Sequence, residues 1–450
     1  MKEYGLNLMR KRPACVLALL LIELLSIKRA GATQYEGQSK TAQPLTNPQT
    51  IGMRTLDGGA LIEEPPEIKQ NTHGWCGVLW LDGYRVTVTP NTKMLTAPAS
   101  TSFRYWNMGG FHVHAKLHGK FVNDSVLSSL LKPNTWATYH GTRESDGTIT
   151  ATQLRLWPNQ INSRKEKFLR MFAAKIEKPS YIKHTPGNIQ YEHGDPIQIL
   201  PEQSVQDYVS HLGMELVPQY QKKLSVTDPT RINFHFYVIH PFTDKPGSHL
   251  VETNGELPSF GVFTGSHYTY NSPKRNTIVE SLIAMPNGVV LIPDVALARI
   301  YSKSQLAALL SYAITSIVQE QAYLAWPYIT SPHARRFNVH PSSIYAFSYW
   351  QNEQVLRIGI RQMYLAGYDI REAPYAWAVA QRKTVNNPVI DSKNPDKEIP
   401  WYATYAFNYI SRYYKEVDYS KLKRGEKEYQ QFLRELYKAD PSLKRSETKH

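Results

Sequence analysis

The chain has 450 residues, 42% of them hydrophobic, and a formal net charge of +14. That length and composition allow a sizeable core and two or three domains, and exclude a disordered or fibrous chain. The basic excess favours acidic partners such as an anionic envelope surface, while the absence of any nucleic-acid motif argues against nucleic acid. Only two cysteines are present, Cys15 and Cys76, so no disulfide framework organises the fold.

Residues 1–32 have the features of a secretory signal: basic Lys2, Arg10 and Arg12, an apolar run from Ala14 to Ile27 broken by Glu23, and an Ala30-Gly31-Ala32 cleavage site. The expected localisation is periplasmic or secreted, with an uncleaved N-terminal anchor as the rival reading; the apolar run is short for a membrane span. Residues 33–73 are rich in Gln, Thr, Pro, Gly and Glu and are expected to form a disordered lead-in.

From 74 to 158 short β-type runs alternate with turn signals. CGVLWL, Asp82-Gly83 and YRVTVT predict a hairpin, and WATYHGT, Asp146-Gly147 and TITATQLRL predict a second. Short strands at this spacing predict a small antiparallel β-barrel or sandwich. His112 and His114 would share a strand face and His118 lies nearby, but no Cys or carboxylate has ligand spacing beside them. The tryptophans of this region, among them Trp75, Trp80, Trp106, Trp136 and Trp157, read as core and rim residues.

Residues 159–197 are basic, then rich in Pro, Gly and His, and are expected to be a linker carrying one helix over NSRKEKFLRMFAAKIEK. Beyond them the pattern is mixed. VQDYVSHLGMELVPQYQKKL predicts an amphipathic helix and INFHFYVIH a strand with Ile232, Phe234, Phe236 and Val238 inward. SLIAMPNGVVLIPDVALARI predicts a further strand. Ser302 and Gln305 mark a capping-box start to a helix burying Leu306, Leu309, Leu310, Ala313, Ile314, Ile317 and Val318 on one wide face. Helices are also expected over IREAPYAWAVAQ, WYATYAFNYISRYYKE and EYQQFLRELYKA, with 386–400 a loop, 198–440 one domain and 441–450 a tail.

The Leu306-Ala307-Ala308-Leu309-Leu310 lead-in and the order of parts around it resemble the zinc endopeptidase family of HtpX, CAAX prenyl protease and BepA. The segment Ala284, Pro286, Gly288, Val290 and Ile292 is similar to that family's strand before its active-site helix, and Gly359-Ile360 with Ala366-Gly367-Tyr368-Asp369 to its later helix. With the strand pattern of 74–158, the resemblance gives the expectation of an α+β fold: a small antiparallel β-barrel followed by a mostly helical zincin-like domain with a small sheet. The barrel region, through Trp136, Tyr139, Gly141, Asp146, Gly147, Ile149 and Ala151, looks more loosely like an OB-like domain of exported bacterial proteins.

A zincin requires two histidines one helical turn apart and a glutamate base beside the first. In the resemblance those histidine places fall on Tyr312 and Ser316, the base on Ala313, and the third ligand on Gln354. Glu353 is one residue off, about 100° around a helix. The zinc cofactor that the family implies is therefore expected to be lost, and no catalytic residue is expected. His240, His267, His333 and His340 offer no pair at helical ligand spacing. The expectation is an exported pseudoenzyme that binds extended peptide or unfolded protein, with Ala284 to Ile292 as an edge strand for main-chain pairing. The alternatives are an active metallopeptidase with non-standard ligands, or a structural envelope protein.

Overall fold

The computed structural model describes residues 55–98, 102–106, 114–118, 126–191, 196–240, 262–263, 282–324, 349–380 and 401–444; for 55–56, 102–106, 114–118, 262–263, 349–350, 380 and 401 only the backbone is described. The signal reading, His112, His267, His333, His340 and the 386–400 loop lie outside these residues, as do the side chains of Trp106, His114 and His118.

The strands are β1 Thr55–Leu61, β2 Glu67–Asn71, β3 Gly74–Leu81, β4 Tyr84–Thr96, β5 Ser102–Trp106, β6 His114–His118, β7 Thr135–Arg143, β8 Ile149–Pro158, β9 Ala174–Glu177, β10 Gly187–Tyr191, β11 Ile197–Ile199, β12 His235–His240, β13 Val262–Phe263, β14 Ile283–Ala284 and β15 Val289–Pro293. The helices are α1 Leu127–Leu130, α2 Ser163–Arg170, α3 Gln203–Leu216, α4 Gln219–Lys223, α5 Asp294–Ala298, α6 Lys303–Val318, α7 Tyr349–Leu365, α8 Glu372–Ala380, α9 Trp401–Tyr413 and α10 Glu426–Ala439. The fold is α+β.

Both predicted hairpins form. Leu81 pairs with Tyr84 across Asp82-Gly83, both at positive φ, which suits the tight turn that follows strand twist. Arg143 pairs with Ile149, and the Asp146 carboxylate accepts from the Thr148 amide and hydroxyl in the loop between them. These strands build a six-stranded sheet ordered β1-β7-β8-β4-β3-β2. It is not wholly antiparallel, because β4 runs parallel to β8, and among the described residues no pairing joins its two outer strands.

The lead-in expectation fails over 55–71, which forms β1 and β2 at the two rims of this sheet. β1 has the sequence TLDGGAL, poor in the β-branched and aromatic residues that mark strands. Pairing along β7 holds it extended, from Thr55 opposite Thr142 to Leu61 opposite Trp136. Gly58 lies where Tyr139 leaves no room for a Cβ.

The linker expectation fails as well. After α2, residues 174–199 supply β9, β10 and β11 to a seven-stranded sheet ordered β13-β14-β15-β12-β11-β10-β9. The α3 helix ends before Pro218, which separates it from α4, so the one predicted helix is two. The predicted edge strand is not an edge. β15 lies between β12, to which it runs parallel, and β14, and all five of its residues are buried. Pro286 and Gly288 belong to the turn between β14 and β15, where the Gly288 amide donates to the Met285 carbonyl.

Helix α6 begins where predicted. The Ser302 hydroxyl accepts from the Gln305 amide, while the Gln305 side chain reaches back to the Tyr301 amide rather than to Ser302. Every residue from Ser304 to Val318 is buried, so α6 is a central helix and not a one-faced surface helix. Its small residues permit this: the Cα of Gly359 on α7 comes so close to the Ser311 and Tyr312 backbone that a Cβ there would sit 3.3 Å away.

One apolar core joins residues of the small sheet, such as Ala60, Val86 and Leu154, with those of α3, α6, α7, α8, α9 and α10. At its centre is an ion pair between Asp82 in the β3–β4 turn and Arg357 of α7, with side chains 1% and 2% exposed. The guanidinium also donates to the Asp82 carbonyl (2.8 Å) and the Tyr405 hydroxyl (2.7 Å), and lies over the Tyr84 ring. The Tyr409 hydroxyl donates to the Gly83 carbonyl. Breaking a buried pair from one side leaves an uncompensated charge, so Arg357→Leu should cost about 3–5 kcal/mol of unfolding free energy, read by denaturant titration. The Asp82→Asn, Arg357→Leu double variant should recover part of that loss.

Candidate functional site

The places that the resemblance assigns to metal ligands and base lie on α6 and α7, and all are buried. Tyr312 is enclosed by the rings of Trp377 and Tyr402 and donates to Asn352 Oδ1 at 2.8 Å. Burial holds its phenol well above the usual tyrosine range, which opposes the deprotonation a metal ligand needs. Ser316 donates to the Ala313 carbonyl at 2.8 Å, and Ala313 has no titratable atom.

Gln354 is held from both ends. Its Oε1 accepts from Gln321 Nε2 at 2.6 Å, and its Nε2 donates to the Gly59 carbonyl of β1 at 2.6 Å. The chain of carboxamides continues, with Gln351 Nε2 donating to Gln321 Oε1 at 3.0 Å. Gln319, at the end of α6, receives the Leu61 amide on Oε1 (2.8 Å) and donates to the Leu61 carbonyl (3.2 Å) and to Glu63 (2.7 Å). A neutral phenol, a hydroxyl bonded to its own helix and a carboxamide with both ends engaged do not form a zinc donor set. Glu353 turns toward Arg357, 3.8 Å away, in line with the one-residue offset.

The residues after β1 extend the same contact. Glu64 receives two bonds from the Arg361 guanidinium at 2.9 and 2.8 Å, a fork geometry that suits arginine. Glu63 takes bonds from Gln319 and Gln362, yet burial raises its pKa to about 7; those two bonds offset the rise in part and the neighbouring Glu64 adds to it.

Beside the C-terminal end of α6 is a cleft of about 190 Å³. It is bordered by α2, the segment 229–233, the β14–β15 turn and residues 316–323. Ser316 borders it, as do Ala284 and Pro286 of the segment expected to be an edge strand; Gly288, Val290 and Ile292 do not. In its wall a nearly buried ion pair joins Lys165 of α2 to Glu320. Glu320 has φ +55°, a left-handed conformation unusual for a residue other than glycine, where α6 ends and a further helical turn at 321–324 begins. Sequence reasoning missed this pair, because Lys165 sits in a basic run and Glu320 inside a continuous helical pattern.

Among the described residues no helix is long and apolar enough to cross a membrane. No protein-family model matches the chain, and no curated protein matches it.

Two measurements test this geometry. Gln354→Leu removes the bond to the Gly59 carbonyl and the bond from the Gln321 amide, both buried, and should lower stability by about 1–3 kcal/mol in denaturant titration. The raised Glu63 pKa means that its contribution is fully present below the unfolded value of 4.5 and is lost as pH rises through about 7. Glu63→Gln should therefore gain on the native chain across that interval, and the difference should level off above it.

Proposed function

We propose that the chain is an exported, non-catalytic relative of the zincin-type endopeptidases, which holds a segment of extended peptide or unfolded protein in the cleft beside α6. The observation that carries this reading is the engagement of Tyr312, Ser316 and Gln354 in internal hydrogen bonds, with Ala313 at the place of the base. The order of parts supports the relationship: α3, β12, the β14–β15 hairpin, α6, then α7 crossing α6 at Gly359. The six-stranded sheet stands in this reading as the remnant of a small barrel-like domain fused in front. Export rests on the basic start, the apolar run and Ala30-Gly31-Ala32.

The cleft argues for a peptide rather than a compact small molecule. Its volume, about 190 Å³, is below the roughly 300–1,000 Å³ of small-molecule sites and suits one or two inserted side chains. Asn233 at its border can bond a main chain, and the partly exposed Leu169 and Ile232 can receive an apolar side chain. With β15 interior to its sheet, binding here depends on these side chains and not on added-strand pairing.

Fluorescence anisotropy with labelled unfolded casein tests the reading. The full chain should bind and leave the casein uncut, with or without a chelator, and Asn233→Trp, at an exposed border position, should weaken binding at least tenfold. Chelator-sensitive cleavage, or binding that ignores the Asn233 change, overturns it.

A further inference from the structure

Away from the cleft, three elements bring metal-ligating side chains to one point. His240 ends β12, Asp294 opens α5, and Asp440 closes α10. One ligand atom from each lies within 4.8 Å of the others. His240 Nδ1 is 2.7 Å from Asp294 Oδ2 and 3.6 Å from Asp440 Oδ2.

The two carboxylates are unequal in a way that points at a cation. Asp294 Oδ1 accepts from the Val295 amide at 2.7 Å, and its Oδ2 faces the imidazole. Asp440 Oδ1 accepts from the Ser442 amide (2.9 Å) and hydroxyl (2.6 Å). Its Oδ2, sealed from solvent, receives no hydrogen bond. A single proton on Nδ1 serves the nearer carboxylate and leaves the second facing the same nitrogen with nothing donated to it. A buried carboxylate oxygen in that position is unfavourable unless a positive charge supplies the missing partner.

We infer that His240, Asp294 and Asp440 form a binding site for a divalent first-row metal ion, coordinated by one imidazole nitrogen and two carboxylate oxygens. An ion in place of the Nδ1 proton gives all three atoms a partner at once. The donor set is borderline rather than soft, which suits zinc or manganese. The three ligands come from a sheet strand, the helix leading to α6 and the C-terminal helix, so the ion acts as a clamp that fixes α10 against the sheet. Tyr429 already ties the same pair of helices, donating to the Leu297 carbonyl at 2.8 Å. The site shares no residue with Tyr312, Ser316 or Gln354, and its occupancy is independent of peptide binding in the cleft.

The test uses the full chain, stripped with a chelator and exchanged into chelator-free buffer. Zinc is added and read by isothermal titration and by thermal melting, with manganese in parallel. One equivalent should bind and raise Tm by several degrees. Asp440→Asn, which keeps the bonds to Ser442 and removes the charge, should fold and melt no lower than the stripped native chain, yet bind zinc about 100-fold more weakly; His240→Ala should do the same to binding. Absence of uptake of both metals, or stoichiometric uptake that survives both substitutions, overturns the site.

Discussion

A buried carboxamide must find partners for both its ends, and Gln354 finds them in two different parts of the chain. Its oxygen is held by Gln321 beyond the end of α6, and its nitrogen by the Gly59 carbonyl on the rim strand of the small sheet. This pair of bonds fixes β1 across α6 and α7. The glutamine serves the backbone of a neighbouring strand. Gln354 is an internal joint between α7 and β1.

The joint is extended by the periodicity of α7. Gln354, Arg357 and Arg361 recur at three and four residues, so they share one helical face, and that face meets the small sheet from Gly59 through Glu64 to the Asp82-Gly83 turn. A polar stripe of this kind usually marks a solvated face. Here Gln354 and Arg357 are buried, because the two hairpin strands and β1 present carbonyls and carboxylates to match them. Such matched polar contact fixes register: shifting α7 by one residue would break the bonds that Gln354, Arg357 and Arg361 make to the Gly59 carbonyl, Asp82 and Glu64.

What could be read in the sequence follows from how local each signal is. The Asp82-Gly83 and Asp146-Gly147 turns and the Ser302 cap are each contained in a few neighbouring positions, and the structure has them in place. Thr55–Leu61 could not be recognised, because two glycines and few apolar residues conceal a strand whose extension is imposed by β7 and by Tyr139 above Gly58. The place of β15 inside its sheet depends on pairing with β12 and β14, which no local pattern of Ala284 to Ile292 encodes. The destination of the Gln354 side chain was hidden for the same reason: its partner Gly59 lies 295 residues earlier.

The most direct measurement is amide hydrogen exchange over residues 55–64 of the full chain. If β1 is locked onto α6 and α7, the Leu61 amide, bonded to Gln319, should exchange as slowly as the core amides of α6, and Gln354→Leu should speed it without unfolding α6. Exchange of Leu61 at the rate of an unstructured segment would contradict the account, since β1 would then not be held by Gln319 and Gln354.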